Sequence, residues 1–146
     1  MKNISKVEEY ISNEYRKIYQ QEVDKEKLNK LLYFVQRESF IVRNRPLFDA
    51  CFYGTKYGVS VVNEHHNIKN ALSKKEEEII NSVIDEYAKK SPMSLYRILY
   101  GEISWNNSRK HIDERGIGKK ISNEDIRKDA MRIKERQKFL RFSTNK

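Results

Sequence analysis

The sequence predicts a mainly α fold, a single compact helical domain of five to six helices with one small β-hairpin or short strands around residues 50–62. Three observations predict it. Apolar residues recur at spacings of three and four along most of the chain. Helix-start residues (Asp24, Ser73, Ser91 and Ser122) stand just before those stripes. One stretch, residues 47–63, switches to β-branched and aromatic residues punctuated by Gly54 and Gly58. The length, 146 residues, is that of one domain with room for its own core.

The first helix follows from Ile4, Val7, Ile11, Tyr15 and Ile18, an apolar stripe that ends near Tyr19. Asp24 is the expected cap of a second helix, with Leu28, Leu31, Leu32, Val35, Ser39 and Val42 facing inward, stopped by Asn44-Arg45-Pro46. Phe52, Tyr53, Tyr57, Val59, Val61 and Val62 form the strand-like stretch, read as a short hairpin or an irregular loop. Ser73 with Glu76 is a capping box and opens a third helix through Ile79, Ile80, Val83, Ile84 and Tyr87. Ser91-Pro92 opens a shorter helix that ends at Gly101. Gly116 and Gly118 mark a flexible basic connector. Ser122 and Asp125 then cap a last helix with the stripe Ile126, Ala130, Ile133 and Leu140. No repeat of 20–50 residues is present, which excludes a solenoid.

Composition narrows the function classes. Mean hydropathy is −0.88, and no apolar run approaches the roughly 18 residues of a membrane-crossing helix. The opening residues are polar and resemble no secretory signal. Cys51 is the only cysteine, which fits a reducing, cytoplasmic setting and permits no internal disulfide. The charge is uneven. Residues 1–105 hold 17 basic and 15 acidic side chains, whereas residues 106–146 hold 13 and 6. Such a basic segment steers acidic partners or contacts phosphates, and it is also what a solvated helix face looks like.

The residue patterns argue against catalysis. His65 and His66 are adjacent, about 100° apart on a helix, and His111 is distant, so no metal-ligand spacing exists. Burial among aromatics would leave Cys51 inert. Gly116-Ile117-Gly118-Lys119-Lys120 lacks the spacer and the Ser/Thr of a phosphate loop. Glu76-Glu77-Glu78 is explained by the positive end of a helix. No cofactor and no metal are expected. An enzyme built on Glu64, His65 and His66 is the least favoured class.

Macromolecular contact is the better reading. Tyr53 and Tyr57 flank Gly54-Thr55-Lys56, and tyrosine supplies rigid contact area with a polar tip. Plain packing of a hairpin explains them equally well. The residues expected to meet a partner are Tyr53, Lys56, Tyr57, Trp105, Arg109, Arg132 and Arg136.

The run Lys27-Leu28-Asn29-Lys30-Leu31-Leu32-Tyr33-Phe34-Val35-Gln36 resembles the K-L-x-K-L-L-Y-F-x-Q signature of the SocA-like antitoxin domain, also called the Panacea domain. Pro46-Leu47-Phe48-Asp49 is similar to that family's next segment. Phe52-Tyr53-Gly54-Thr55-Lys56-Tyr57-Gly58-Val59 resembles its F-x-A-W-x-Y-G-P-V stretch, and residues 95–105 loosely resemble its ending. Thr55, Val59 and Tyr100 depart from the family's Trp, Pro and His, as in a divergent branch. The likeness spans residues 4–109. It implies a SocA-like helical domain over 1–109 and a basic C-terminal helical extension over 110–146, packed on it or appended to it. It further implies a non-enzymatic antitoxin carried on a prophage or other mobile element. Such a protein neutralises a toxin encoded nearby by direct binding, or delivers it as an adaptor to an ATP-dependent protease. A basic nucleic-acid-binding regulator that uses the last helix is the alternative. Oligomeric state, a homodimer included, stays open.

Overall fold

The computed structural model describes residues 2–62 and 71–144. Glu64, His65 and His66 lie outside the described residues. The chain runs β1 (Lys2–Asn3), α1 (Ile4–Tyr19), α2 (Lys25–Arg43), β2 (Phe48–Asp49), β3 (Cys51–Thr55), β4 (Val59–Val62), α3 (Lys74–Tyr87), α4 (Pro92–Tyr100), α5 (Ile103–Arg109), β5 (Ile117–Lys120) and α6 (Asn123–Thr144). The described residues are mainly helical, with six helices.

Local chemistry sets most helix ends. The Asp24 carboxylate accepts from Lys27 N at 2.8 Å. Ser73 and Glu76 close a reciprocal capping box, Ser91 caps α4 ahead of Pro92, and Ser122 Oγ accepts from Asp125 N at 3.1 Å. Gln20 and Asn44 end α1 and α2 in the left-handed conformation, with φ of 57° and 54°.

The central element is α2. It packs against α1, α3, α6 and β4, so it is buried nearly all round rather than along one stripe. Tyr33, Phe34, Gln36, Arg37, Phe40 and Ile41 are buried beside the expected Leu31, Leu32, Val35 and Ser39. Val42, expected inside, is exposed, and so are Ile18 and Leu140 at the ends of their stripes. In each helix the apolar spacing runs on past the last residue that the core buries.

Gln36 shows how a buried polar side chain holds a loop. Its amide donates to Phe48 O at 2.8 Å and accepts from Leu47 N at 2.8 Å. Leu47 and Phe48 are thereby fixed under α1, where β2 pairs in parallel with β1.

The strands exceed a hairpin. β3 pairs antiparallel with β4, with Tyr53 opposite Ser60, and on its other edge with β5, giving the order β4-β3-β5. The segment after Gly116, expected to be a connector, is therefore a strand. Glycine makes this possible at two points. Gly116 has φ of +78°, and a Cβ at Gly118 would fall 2.2 Å from the Ser108 carbonyl oxygen. Residues beyond 109 supply Ile121, Ile126 and Ala130 to the same core as α1–α5. Cys51 is buried.

Candidate partner-binding face

The face is built on α5, a seven-residue helix that no stripe announced. Glu102, at its N-cap, makes no side-chain capping bond. The cap comes from α6, where buried Asp129 accepts from Ile103 N at 2.7 Å and Ser104 N at 2.9 Å. Those bonds satisfy two N–H groups that a helix start leaves open. Tyr33 of α2 bonds Ser104 Oγ at 2.5 Å from below.

Thus held, α5 places Trp105 fully inside the protein, with Nε1 donating to Gly58 O at 2.7 Å. This corrects the expectation that Trp105 meets a partner directly: its ring is the floor of a surface, not the surface. Tyr96 stands edge-on to it at 5.7 Å and 90°, and Tyr100 lies at 6.5 Å. Tyr57, from the β3–β4 turn, reaches Tyr96 at 5.8 Å, and Tyr96 reaches Tyr100 at 6.2 Å. The Arg109 guanidinium covers the Trp105 ring at 3.8 Å, a cation–π geometry. Tyr57 is 63% and Tyr100 62% exposed, and Met93 on α4 is exposed as well.

Four of the expected residues, Lys56, Tyr57, Trp105 and Arg109, thus meet around one aromatic platform. Tyr53 does not join them. It lies half-buried in the middle of β3, in register with Ser60 and Lys120. Arg132 and Arg136 sit elsewhere, lining a cleft of about 470 Å³ between α2, α4 and α6.

That cleft is polar at its floor. Buried Arg37 donates to the Glu102 carboxylate and, at 2.6 Å, to Tyr87 Oη. Arg132 lies 3.8 Å from Asp129. Burial pushes the Glu102 carboxyl above the usual range against the pull of Arg37, and the nearby Asp129 carboxylate adds to the rise.

Sequence reasoning missed Tyr96, Met93 and the Arg37–Glu102 pair. Tyr96 and Tyr100 stand four residues apart on α4, a signal that was available. Nothing in the spacing ties Arg37 to a carboxylate 65 positions away.

Among the described residues no group of three His, Cys, Asp or Glu is placed to hold a metal ion, and no helix is long and apolar enough to cross a membrane. No family model, no curated protein and no solved structure matches the chain.

Proposed function

We propose that the chain is a non-enzymatic antitoxin or protease-adaptor-like protein that binds and neutralises a partner protein, a toxin encoded nearby, by direct contact. The single observation that carries this reading is the row of exposed Tyr57, half-buried Tyr96 and exposed Tyr100, with Tyr96 and Tyr100 seated on buried Trp105. Tyrosines held by a rigid core lose little side-chain freedom on binding, which suits them to the centre of an interface. Lys56 beside Tyr57 and Arg109 above Trp105 add positive charge, which favours an acidic partner surface and speeds encounter. The motif likeness to SocA-like antitoxins points the same way. In this reading the protein is encoded on a prophage or other mobile element, acts in the cytoplasm and needs no cofactor. An ATP-dependent protease is a further partner if neutralisation proceeds by delivery.

The test is co-expression with the product of the adjacent gene. Wild type is expected to co-purify with it and to relieve its toxicity, and Tyr57→Ala with Tyr100→Ala to weaken the complex by at least about tenfold. A neighbouring product that never co-purifies, or binds the double variant equally well, removes the proposal.

A second reading, nucleic-acid binding, is favoured by one observation: residues 134–141 of α6 are all exposed and include Lys134, Arg136 and Lys138. Binding through them would fall with salt at roughly one unit of log–log slope per phosphate contacted. A flat salt response removes it.

A further inference from the structure

The block Lys27 to Gln36 carries five polar side chains that the fold must accommodate, and three of them have visible partners. Lys27 donates to Ala88 O at 2.9 Å, at the end of α3. Tyr33 bonds Ser104, and Gln36 holds the chain at Leu47 and Phe48. Asn29 is partly buried, with its amide oxygen enclosed and without a hydrogen-bond partner among the described residues. Lys30 is different. It is 5% exposed, yet among the described residues it has no hydrogen-bond or ion-pair partner. Burying an ammonium without an anion is costly, so such a group either finds a counter-charge or opens onto water.

Lys30 opens onto a cavity of about 440 Å³ formed with the β3–β4 turn and the Gly116 turn. Its tip lies against Gly58, where a Cβ would come within 3.0 Å of Lys30 Cε. The absence of a side chain at Gly58 is what lets the ammonium reach the opening. Lys56 and Arg115 line the same cavity, and Glu26 is the one carboxylate on its wall. Asp113 binds Arg115 through Nε and Nη2, at 3.1 and 2.8 Å, so Nη1 is the guanidinium nitrogen left for a ligand. Tyr57 and Ile117 supply an apolar wall beside the cations.

We infer that the Lys30 cavity is a binding site for a phosphate monoester, its phosphate group on Lys30, Lys56 and Arg115 and its organic part against Tyr57. A compact ammonium serves several phosphate oxygens from one side as a point charge. A phosphate monoester carries about −1.5 to −2 charge near neutral pH, and Lys30, Lys56 and Arg115, set against Glu26 and the Asp113 paired with Arg115, leave the cavity wall net positive toward it. The volume lies within the roughly 300–1,000 Å³ of small-molecule sites, which leaves room for a flat group stacked on Tyr57. The cavity shares Lys56 and Tyr57 with the platform above, but its test, small-ligand binding to the full chain, needs no protein partner and so fails or succeeds independently of that reading.

The probes are adenosine monophosphate, inorganic phosphate, acetate and adenosine, titrated into the full chain by calorimetry and by thermal melting. The monophosphate is expected to bind saturably and to raise the melting temperature, phosphate to bind more weakly, and adenosine and acetate not to bind. Lys30→Met is expected to fold, shown by circular dichroism, and to lose the monophosphate by at least about tenfold, as removal of a charge-assisted contact requires. Lys56→Glu, on the exposed rim, is expected to weaken it in the same direction and serves if K30M does not fold. Adenosine or acetate binding as tightly as the monophosphate, unchanged affinity in these variants, or no saturable binding by wild type would overturn the inference.

Discussion

The two halves of α6 carry the same apolar spacing and meet different surroundings. In the first half Ile126 and Ala130 are fully buried, and Asp129 between them is buried too, capping α5 from outside that helix. Further along, Ile133 is only partly covered, and Phe139 and Leu140 are 70% and 56% exposed. The first half rests on α2 and α5. The lesson is that periodicity states which face of a helix is apolar, not how far the opposing surface extends. It also separates two roles within one helix, one half completing the core and the other presenting Lys134, Arg136 and Lys138 outward.

Four variants would break or sharpen that contrast. Ile126→Ala, in the first half, is expected to cost about 2–5 kcal/mol, the range for emptying a packed aliphatic site, read from urea unfolding midpoints. A loss as small as that of a surface change would mean this half does not belong to the core. Asp129→Ala should follow at about 1.5–3 kcal/mol, because it strips a charged acceptor from two backbone N–H groups. Hydrogen exchange should then rise at Ile103 and Ser104 ahead of the rest of the protein, and uniform exchange would contradict the capping role.

Glu102 gives a smaller effect, read as a slope. Its carboxyl titrates higher in the folded protein than in the unfolded chain. The stability linked to it is therefore complete below the unfolded carboxylate pKa and is lost as pH rises through the raised, folded one. Glu102→Gln should remove that component from a plot of stability against pH, and a slope identical to wild type would count against the burial of this group. The least effect belongs to the outer half. Phe139→Ser with Leu140→Ser should change stability by no more than about 0.5 kcal/mol. A larger loss, measured the same way, would show that the distal turns are covered after all.

Legibility follows the range of the interaction. Asp24, Ser73, Ser91 and Ser122 were readable as caps because each bonds a backbone group three residues away. The core positions of α1 and α3 were readable because each buries one face. In α2 the stripe located the helix and understated its burial, since neighbours lie on several sides. At the candidate site, Tyr57 and Lys56 were recognisable as an aromatic–basic pair on a turn. That Trp105 would lie beneath them was not, because the bond from its indole to Gly58 spans 47 positions.

The sequence by itself determined the mainly helical class, the starts of α2, α3, α4 and α6, the position of the β3–β4 hairpin and the positive excess after residue 105. Each is written in residues close together along the chain. Only the tertiary structure decided that Ile117–Lys120 would extend the sheet, that Asp129 would cap another helix, that Tyr96 and Tyr100 would share one buried tryptophan with Tyr57 against Tyr96, and that Lys30 would be buried with no ion-pair partner among the described residues. These are meetings of distant segments, set by which surfaces close against each other when the core forms, and spacing along the chain carries no record of them.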